Sequence, residues 1–370
     1  MTARHLALLL LLTACGSSFE LADADAAAAP DGGGLRDAGA RGPDAGLAED
    51  GGRSDGGALP SCVLEPVGET FGEPCFCRGP VVFAGGHLYH QSIGVDVYRV
   101  EDGDPPVEVG HVEERASASG GLVLAAGHLV SLVDFVDEPL RVYALDDPAR
   151  PREVARLDVA VPPGERLLAA WGDRVFVGSR DLEAGRSALV AVDLARPDRP
   201  VARDPISFEG ALRGLAAGPS GLAVLLERGT PERPETELRW LDADGTARGS
   251  RSLPGRAFPR ALALTEDALL VGGGDGVLLE RFRLDGTLAP WGALAHEGEW
   301  SPGGAVLVRG DRALVAGLAA LVHLGPTLRV LGEGETMPGD VGAAAAPGGP
   351  FERVWLGAGG GVRPWRVRCE

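Results

Sequence analysis

Three features of the sequence predict an all-β fold, a β-propeller of about seven four-stranded blades. The first is a unit of short apolar strands and tight turns that recurs from about Ser61 to the end of the 370-residue chain. The second is its period of roughly 40 to 50 residues, the spacing of four-stranded blades rather than of helical solenoids. The third is the density of turn formers, 56 Gly and 28 Pro, which interrupts any 3.6-residue periodicity before a helix is established.

The segment before the repeats divides in two. Residues 1–15 combine Arg4, Leu6, a leucine run at 8–12 and the ending Leu12-Thr13-Ala14-Cys15. A basic start, an apolar core too short to span a bilayer and small residues before a cysteine make a secretory signal peptide. The ending resembles a bacterial lipobox. That resemblance implies that Cys15 becomes the first mature residue and carries diacylglyceryl and N-acyl (palmitate) chains, a multi-chain attachment strong enough for stable anchoring. Gly16 after the cysteine resembles the outer-membrane sorting pattern. Residues 16–60 hold nine acids against three Arg, with almost no large apolar side chain to offset the entropy of ordering. They are expected to form a disordered tether spanning roughly 35 to 40 Å on average. Its Asp-Gly and Asp-Ala pairs lack the spacing and the closing bidentate acid of a calcium loop.

From Ser61 each unit reads as strand, turn, strand, loop, strand, turn and a weaker fourth strand. The inner turns fall at Gly86-His87, Gly127-His128, Gly172-Asp173, Ser220-Gly221, Glu266-Asp267 and Gly310-Asp311. Gly takes positive φ freely and Asp bonds its own backbone, so these pairs close tight turns. The third strands begin at Val95, Leu140, Leu189, Leu238, Leu279, Ala320 and Val362. The last unit stops after its third strand at Glu370. Val63-Leu64-Glu65 from the domain's start can supply the missing outer strand and close the ring by overlap. Cys62 and Cys369 then lie on adjacent strands, and a bridge between them stabilises by on the order of 5 kcal/mol in the loop-entropy model. Four cysteines follow the leader, Cys62, Cys75, Cys77 and Cys369, and allow three pairings. Cys62 with Cys369 and Cys75 with Cys77 is the preferred set; Cys369 with Cys75 or Cys77 stays open.

Leu189-Val-Ala-Val-Asp193 followed by Pro197 and Pro200, and Asp146-Asp147-Pro148 after the second unit, resemble the LVIVD-repeat family of bacterial and archaeal cell-surface proteins. The resemblance implies a β-propeller and assigns no activity. It covers about 280 residues, is clear in the first three units, and fades where the turn becomes Asp244-Gly245, Asp285-Gly286 or Gly325-Pro326.

A formal charge of −18 argues against nucleic acid, which needs a basic footprint. All 35 basic side chains are Arg, and the chain has neither Lys nor Asn. Schiff-base, phosphate-loop-lysine and Ser-Lys chemistries are therefore excluded. Gly332-Glu-Gly334 and 272–276 do not open a helix after a strand, so they are turn glycines rather than nucleotide loops. No Gly-x-Ser-x-Gly elbow is present. His87, His90, His111, His128, His296 and His323 show no dense metal spacing, and no cofactor is expected. Charged loops on a rigid scaffold are where binding tends to reside. The candidate binding residues are accordingly His90, Asp134, Arg180, Asp181, Glu227 and Arg228, assigned to connections between second and third strands. Together these features predict an outer-membrane, lipid-anchored cell-envelope lipoprotein, periplasmic or surface-exposed. Its propeller is expected to be a monomeric, non-enzymatic binding or interaction scaffold for envelope protein or polysaccharide, touching the membrane through its lipid alone. The alternatives are a hydrolase or lyase with a metal in the propeller channel, drawing on His90, His111, His296 and His323, and a structural envelope protein.

Overall fold

The computed structural model describes residues 59–72, 80–92, 94–101, 105–113, 119–133, 140–162, 164–181, 185–228, 235–254, 261–273, 276–296, 304–335, 341–346, 351–358 and 361–370. The leader, the tether, Cys75 and Cys77 lie outside these residues.

Seven antiparallel sheets make seven blades. Blade 1 runs Val81–Ala84, His87–Ser92, Gly94–Arg99 and Val107–Val112. Blade 2 runs Ser119–Ala125, His128–Val133, Leu140–Ala144 and Arg152–Leu157. Blade 3 has Glu165–Trp171, Arg174–Asp181 and Arg186–Asp193, and its outer position is shared by Val201–Ala202 and Ile206–Glu209. Pro205 stands between those two pieces; it has no N–H to continue the ladder, so the edge breaks there. Blade 4 runs Ala211–Gly218, Gly221–Glu227, Glu235–Leu241 and Ala247–Pro254. Blade 5 runs Ala261–Leu264, Ala268–Gly272, Val277–Arg283 and Pro290–Ala295. Blade 6 runs Val306–Arg309, Arg312–Val315, Ala320–His323 and Arg329–Glu333, and a 3₁₀ turn at Ala316–Leu318 replaces its inner loop.

Blade 7 is composite. Gly342–Ala345, Arg353–Ala358 and Gly361–Cys369 come from the end of the chain, and Cys62–Pro66 from its start supplies the outer strand. The register runs from Cys62 opposite Cys369 to Pro66 opposite Trp365. Ser61 and Glu370 exchange backbone hydrogen bonds of 3.2 and 2.9 Å beyond it. The Cys62–Cys369 disulfide is formed. First strands of consecutive blades neighbour one another all the way round, the seventh returning to the first.

The core is divided among the seams between blades. Leu140, Val142, Val177 and Val190 fill the seam of blades 2 and 3, and Leu225, Leu238, Leu269 and Phe282 that of blades 4 and 5. Long polar side chains fasten six of the seven seams at the end carrying the hairpin turns between first and second strands. Tyr89 donates to the Pro148 carbonyl at 3.0 Å; burial first, then the nearby Asp147 charge, pushes its phenol up to about 12. Arg174 donates to Ala243, Arg251 to Leu288, Arg281 to Leu324 and Pro326, Arg309 to Ala345 and Ala346, and Arg353 to Glu101, all at carbonyl oxygens of the following blade. In a chain without Lys or Asn, Arg carries this role through its five-donor fork. Fourth strands approach the next blade so closely that a Cβ at Gly110 or Gly332 would collide with the carbonyl of Ala149 or Cys62. Those glycines set the spacing of the blades.

Candidate binding face

Second strands end, third strands begin and blades join at the opposite rim, called here the loop rim. Buried polar side chains gather there, and only over part of the ring. Among the described residues, His90, Gln91, Ser92, Asp96, Ser131, Arg141, Glu165, Arg166, Ser179, Arg180, Ser187 and Thr236 are buried, all in blades 1 to 4. Arg281, the other buried polar residue, is in blade 5 and faces the hairpin rim.

In blade 1 the strand register aligns His90, Asp96 and His111 across three neighbouring strands. Ser92 donates its hydroxyl to one Asp96 oxygen at 2.7 Å, and His111 Nδ1 meets the other at 2.7 Å. His90 Nδ1 lies 3.8 Å from the carboxylate, an ion-pair rather than a hydrogen-bond distance. Burial raises the Asp96 pKa, but the interactions with His90, Ser92 and His111 outweigh it and leave the carboxyl below its ordinary value. The segment entering from blade 7 covers this cluster. Phe71 packs edge-on against Tyr98 with ring centres 4.8 Å apart, and Gly72, at φ +88, passes where a Cβ would press on His90 and the Tyr98 hydroxyl.

Other polar groups line the rest of this rim, some within a blade and some across a seam. Gln91 reaches from blade 1 into blade 2, donating to the Ser131 hydroxyl at 3.1 Å and the Leu132 carbonyl at 3.3 Å, and accepts from the Gly121 N–H at 3.2 Å. In blade 3, Glu165 and Arg180 form a buried ion pair. Ser187 donates to the Gly210 carbonyl at 2.8 Å and accepts from Leu212 at 2.7 Å. In blade 4, Arg213 binds Glu227, and Arg228 lies 2.8 Å from Glu237.

Of the candidate residues, His90, Arg180, Glu227 and Arg228 lie at the loop rim, and not as free loop charges. His90, Arg180 and Glu227 lie in second strands, which run further than the turn residues indicate. His90 is fully buried and Arg180 is 7% exposed; Glu227 is turned into its pair with Arg213. Arg228, with a side chain 38% exposed, is the most open of the four. Asp134 and the Asp181 side chain lie outside the described residues, as do Cys15, Cys75 and Cys77. His323 is at the hairpin rim, 3.3 Å from Asp311, so the fold does not bring it to His90 and His111. Among the described residues no group of three or more His, Cys, Asp or Glu side chains is placed to hold a metal ion. Sequence reasoning missed Asp96, Arg141 and Glu165. The available signal was a charge near the start of a strand that otherwise reads as core, as in Val95-Asp96-Val97 and Leu140-Arg141-Val142.

No known family profile matches the chain, and no curated protein matches it in sequence. Sqt1 of Saccharomyces cerevisiae, a solved structure, is similar at a TM-score of 0.53 with 8% identity, over 84% of this chain and 99% of that one. At that identity the similarity shows the fold alone. Solved chains numbering 482 match, so this architecture does not by itself select a function.

Proposed function

We propose that the protein is a cell-envelope lipoprotein of the LVIVD-repeat type, anchored through Cys15, whose propeller is a non-enzymatic binding scaffold for envelope protein or polysaccharide. The observation that carries this reading is the loop rim of blades 1 to 4, where, among the described residues, the buried polar and charged side chains are concentrated, many of them in intramolecular pairs. A rigid, pre-paired rim loses little conformational entropy on binding, as an interaction surface requires. Arg228 and His111, the more open members, are the first points of contact. The acyl anchor follows from the leucine run ending in Cys15, and the acidic stretch 16–60 then keeps the ring clear of the bilayer.

The test has two arms. Metabolic labelling with an alkyne fatty acid should mark the wild-type protein and not Cys15→Ala, which should move from the membrane to the soluble fraction. Affinity capture from envelope extracts should retain a partner that is lost with Arg228→Glu combined with His111→Ala. Equal membrane retention of Cys15→Ala, or capture indifferent to the double variant, overturns the corresponding half of the proposal.

A further inference from the structure

Away from the loop rim, a cavity lies where blade 7 meets blade 1. Trp355 of blade 7 stacks on Phe83 of blade 1, the ring centres 5.0 Å apart and the planes within 5° of parallel. Beyond this pair the blades part. A cavity of about 220 Å³ opens between Trp355, Pro364 and Val67 on one side and Val100, Pro105 and Pro106 on the other. It runs into a wider hollow of about 750 Å³ that shares Val100, Arg353, Trp355 and Arg366 and adds Arg368. The result is one groove with an aromatic-floored end, with Arg353 and Arg366 along both parts, and with Glu352 and Arg368, the latter 2.9 Å from Glu65, lining the wider one.

We infer that this groove binds an acidic peptide segment of a partner protein, with one aromatic or large aliphatic side chain seated between Trp355 and Pro106. This rests on the scaffold reading above and chooses between its two ligand classes. Three properties argue for a peptide. The apolar end has room for one ring and is walled by Val, Pro and Trp. A sugar placed there would bury hydroxyls against the Val67, Val100, Pro105 and Pro106 side chains, which offer no donor or acceptor, whereas an apolar side chain gains from burial against them. Arg353, Arg366 and Arg368 then lie beside the flanking residues of the bound segment. In a chain of net charge −18, Arg353, Arg366 and Arg368 against Glu352 and the Glu65 that pairs with Arg368 leave a local excess of positive charge, complementary to carboxylates. Charge fixes where the segment lands, and the buried anchor supplies the affinity.

The probe is a random dodecapeptide library displayed on phage and panned on the full chain. Enriched sequences should place Phe, Trp or Leu next to Asp or Glu. The corresponding synthetic peptides should lose at least about tenfold in affinity with Pro106→Trp, which fills the apolar end, and with Arg366→Glu. Their binding should weaken with added salt. Both positions are half-buried in the groove, and an unchanged thermal midpoint would confirm that each variant folds. Three outcomes overturn the inference: no enrichment, enriched peptides that bind both variants as tightly as wild type, or displacement of the peptide by an equal concentration of oligogalacturonate. Envelope capture that persists in both variants yet disappears with the Arg228 and His111 substitutions would leave the scaffold reading intact while removing this groove from it.

Discussion

Blades 1 to 4 and blades 5 to 7 share the same strand order but solve the seam problem differently. In the first group, polar side chains turned inward at the loop rim pair with one another: Asp96 with its histidines, Glu165 with Arg180 and Arg213 with Glu227 within their blades, and Gln91 with Ser131 across a seam. In the second, the seam of blades 5 and 6 is filled by Ala261, Ala263, Ala313, Ala320, Leu278 and Val315, and a Cβ at Gly272 would press on Val306. Small residues let these two blades approach, and among the described residues no polar side chain is buried at their loop rim. A propeller thus tolerates either close contact or a satisfied polar network at a seam. The polar solution is the one that leaves chemical character on the surface.

Four perturbations break or sharpen the contrast, in falling order of effect. Cys369→Ala, in the apolar group, should cost on the order of 5 kcal/mol in chemical denaturation, because it releases a loop of 307 residues. Arg180→Ala should cost about 3–5 kcal/mol, since it strands the buried Glu165 charge, whereas replacing both by Met should restore most of the loss. If the single and double variants unfold alike, the pair does not govern that seam. Leu321→Ala, at a fully buried position of blade 6, should cost about 3 kcal/mol through cavity formation, with no partner substitution able to recover it. Asp96→Asn should have the smallest effect, about 1 kcal/mol, and one that depends on pH. Because the folded Asp96 pKa lies below its unfolded value, its contribution is present above the unfolded pKa and is lost as pH falls through the folded one. Thermal unfolding of wild type and variant should therefore converge below about pH 4, and a gap that stays constant to pH 2 would remove the ionised carboxylate from the explanation.

The ring was legible in the sequence because its determinants are local. Gly86-His87, Gly172-Asp173 and Gly310-Asp311 mark turns through backbone preference, and the alternating strands between them leave little freedom of register. The closing strand was legible for a different reason: a unit missing its last strand and a strand without a unit stand at opposite ends of one chain, each beside a cysteine. The candidate site was less legible. Whether His90, Arg180 or Glu227 projects into solvent or into a seam depends on how many residues a second strand continues past the last obvious core position, and on which neighbour waits across the seam. Neither property is local. The groove of blades 7 and 1 was invisible for the same reason, because Trp355, Pro106 and Val67 are distant in sequence and meet through closure alone.

Closure by the Cys62–Pro66 strand also has a mechanical consequence. A pull on the chain before this strand arrives at Cys62, the first residue of an antiparallel pairing. That is the geometry in which a strand unzips one hydrogen bond at a time, at low force. The disulfide to Cys369 sits at that entry point, so the load passes into the last strand of blade 7 before any ladder bond is peeled. Oxidised, the domain should resist such a pull as a single covalent loop. Reduced, it should give way first at the one strand that the rest of the ring cannot replace.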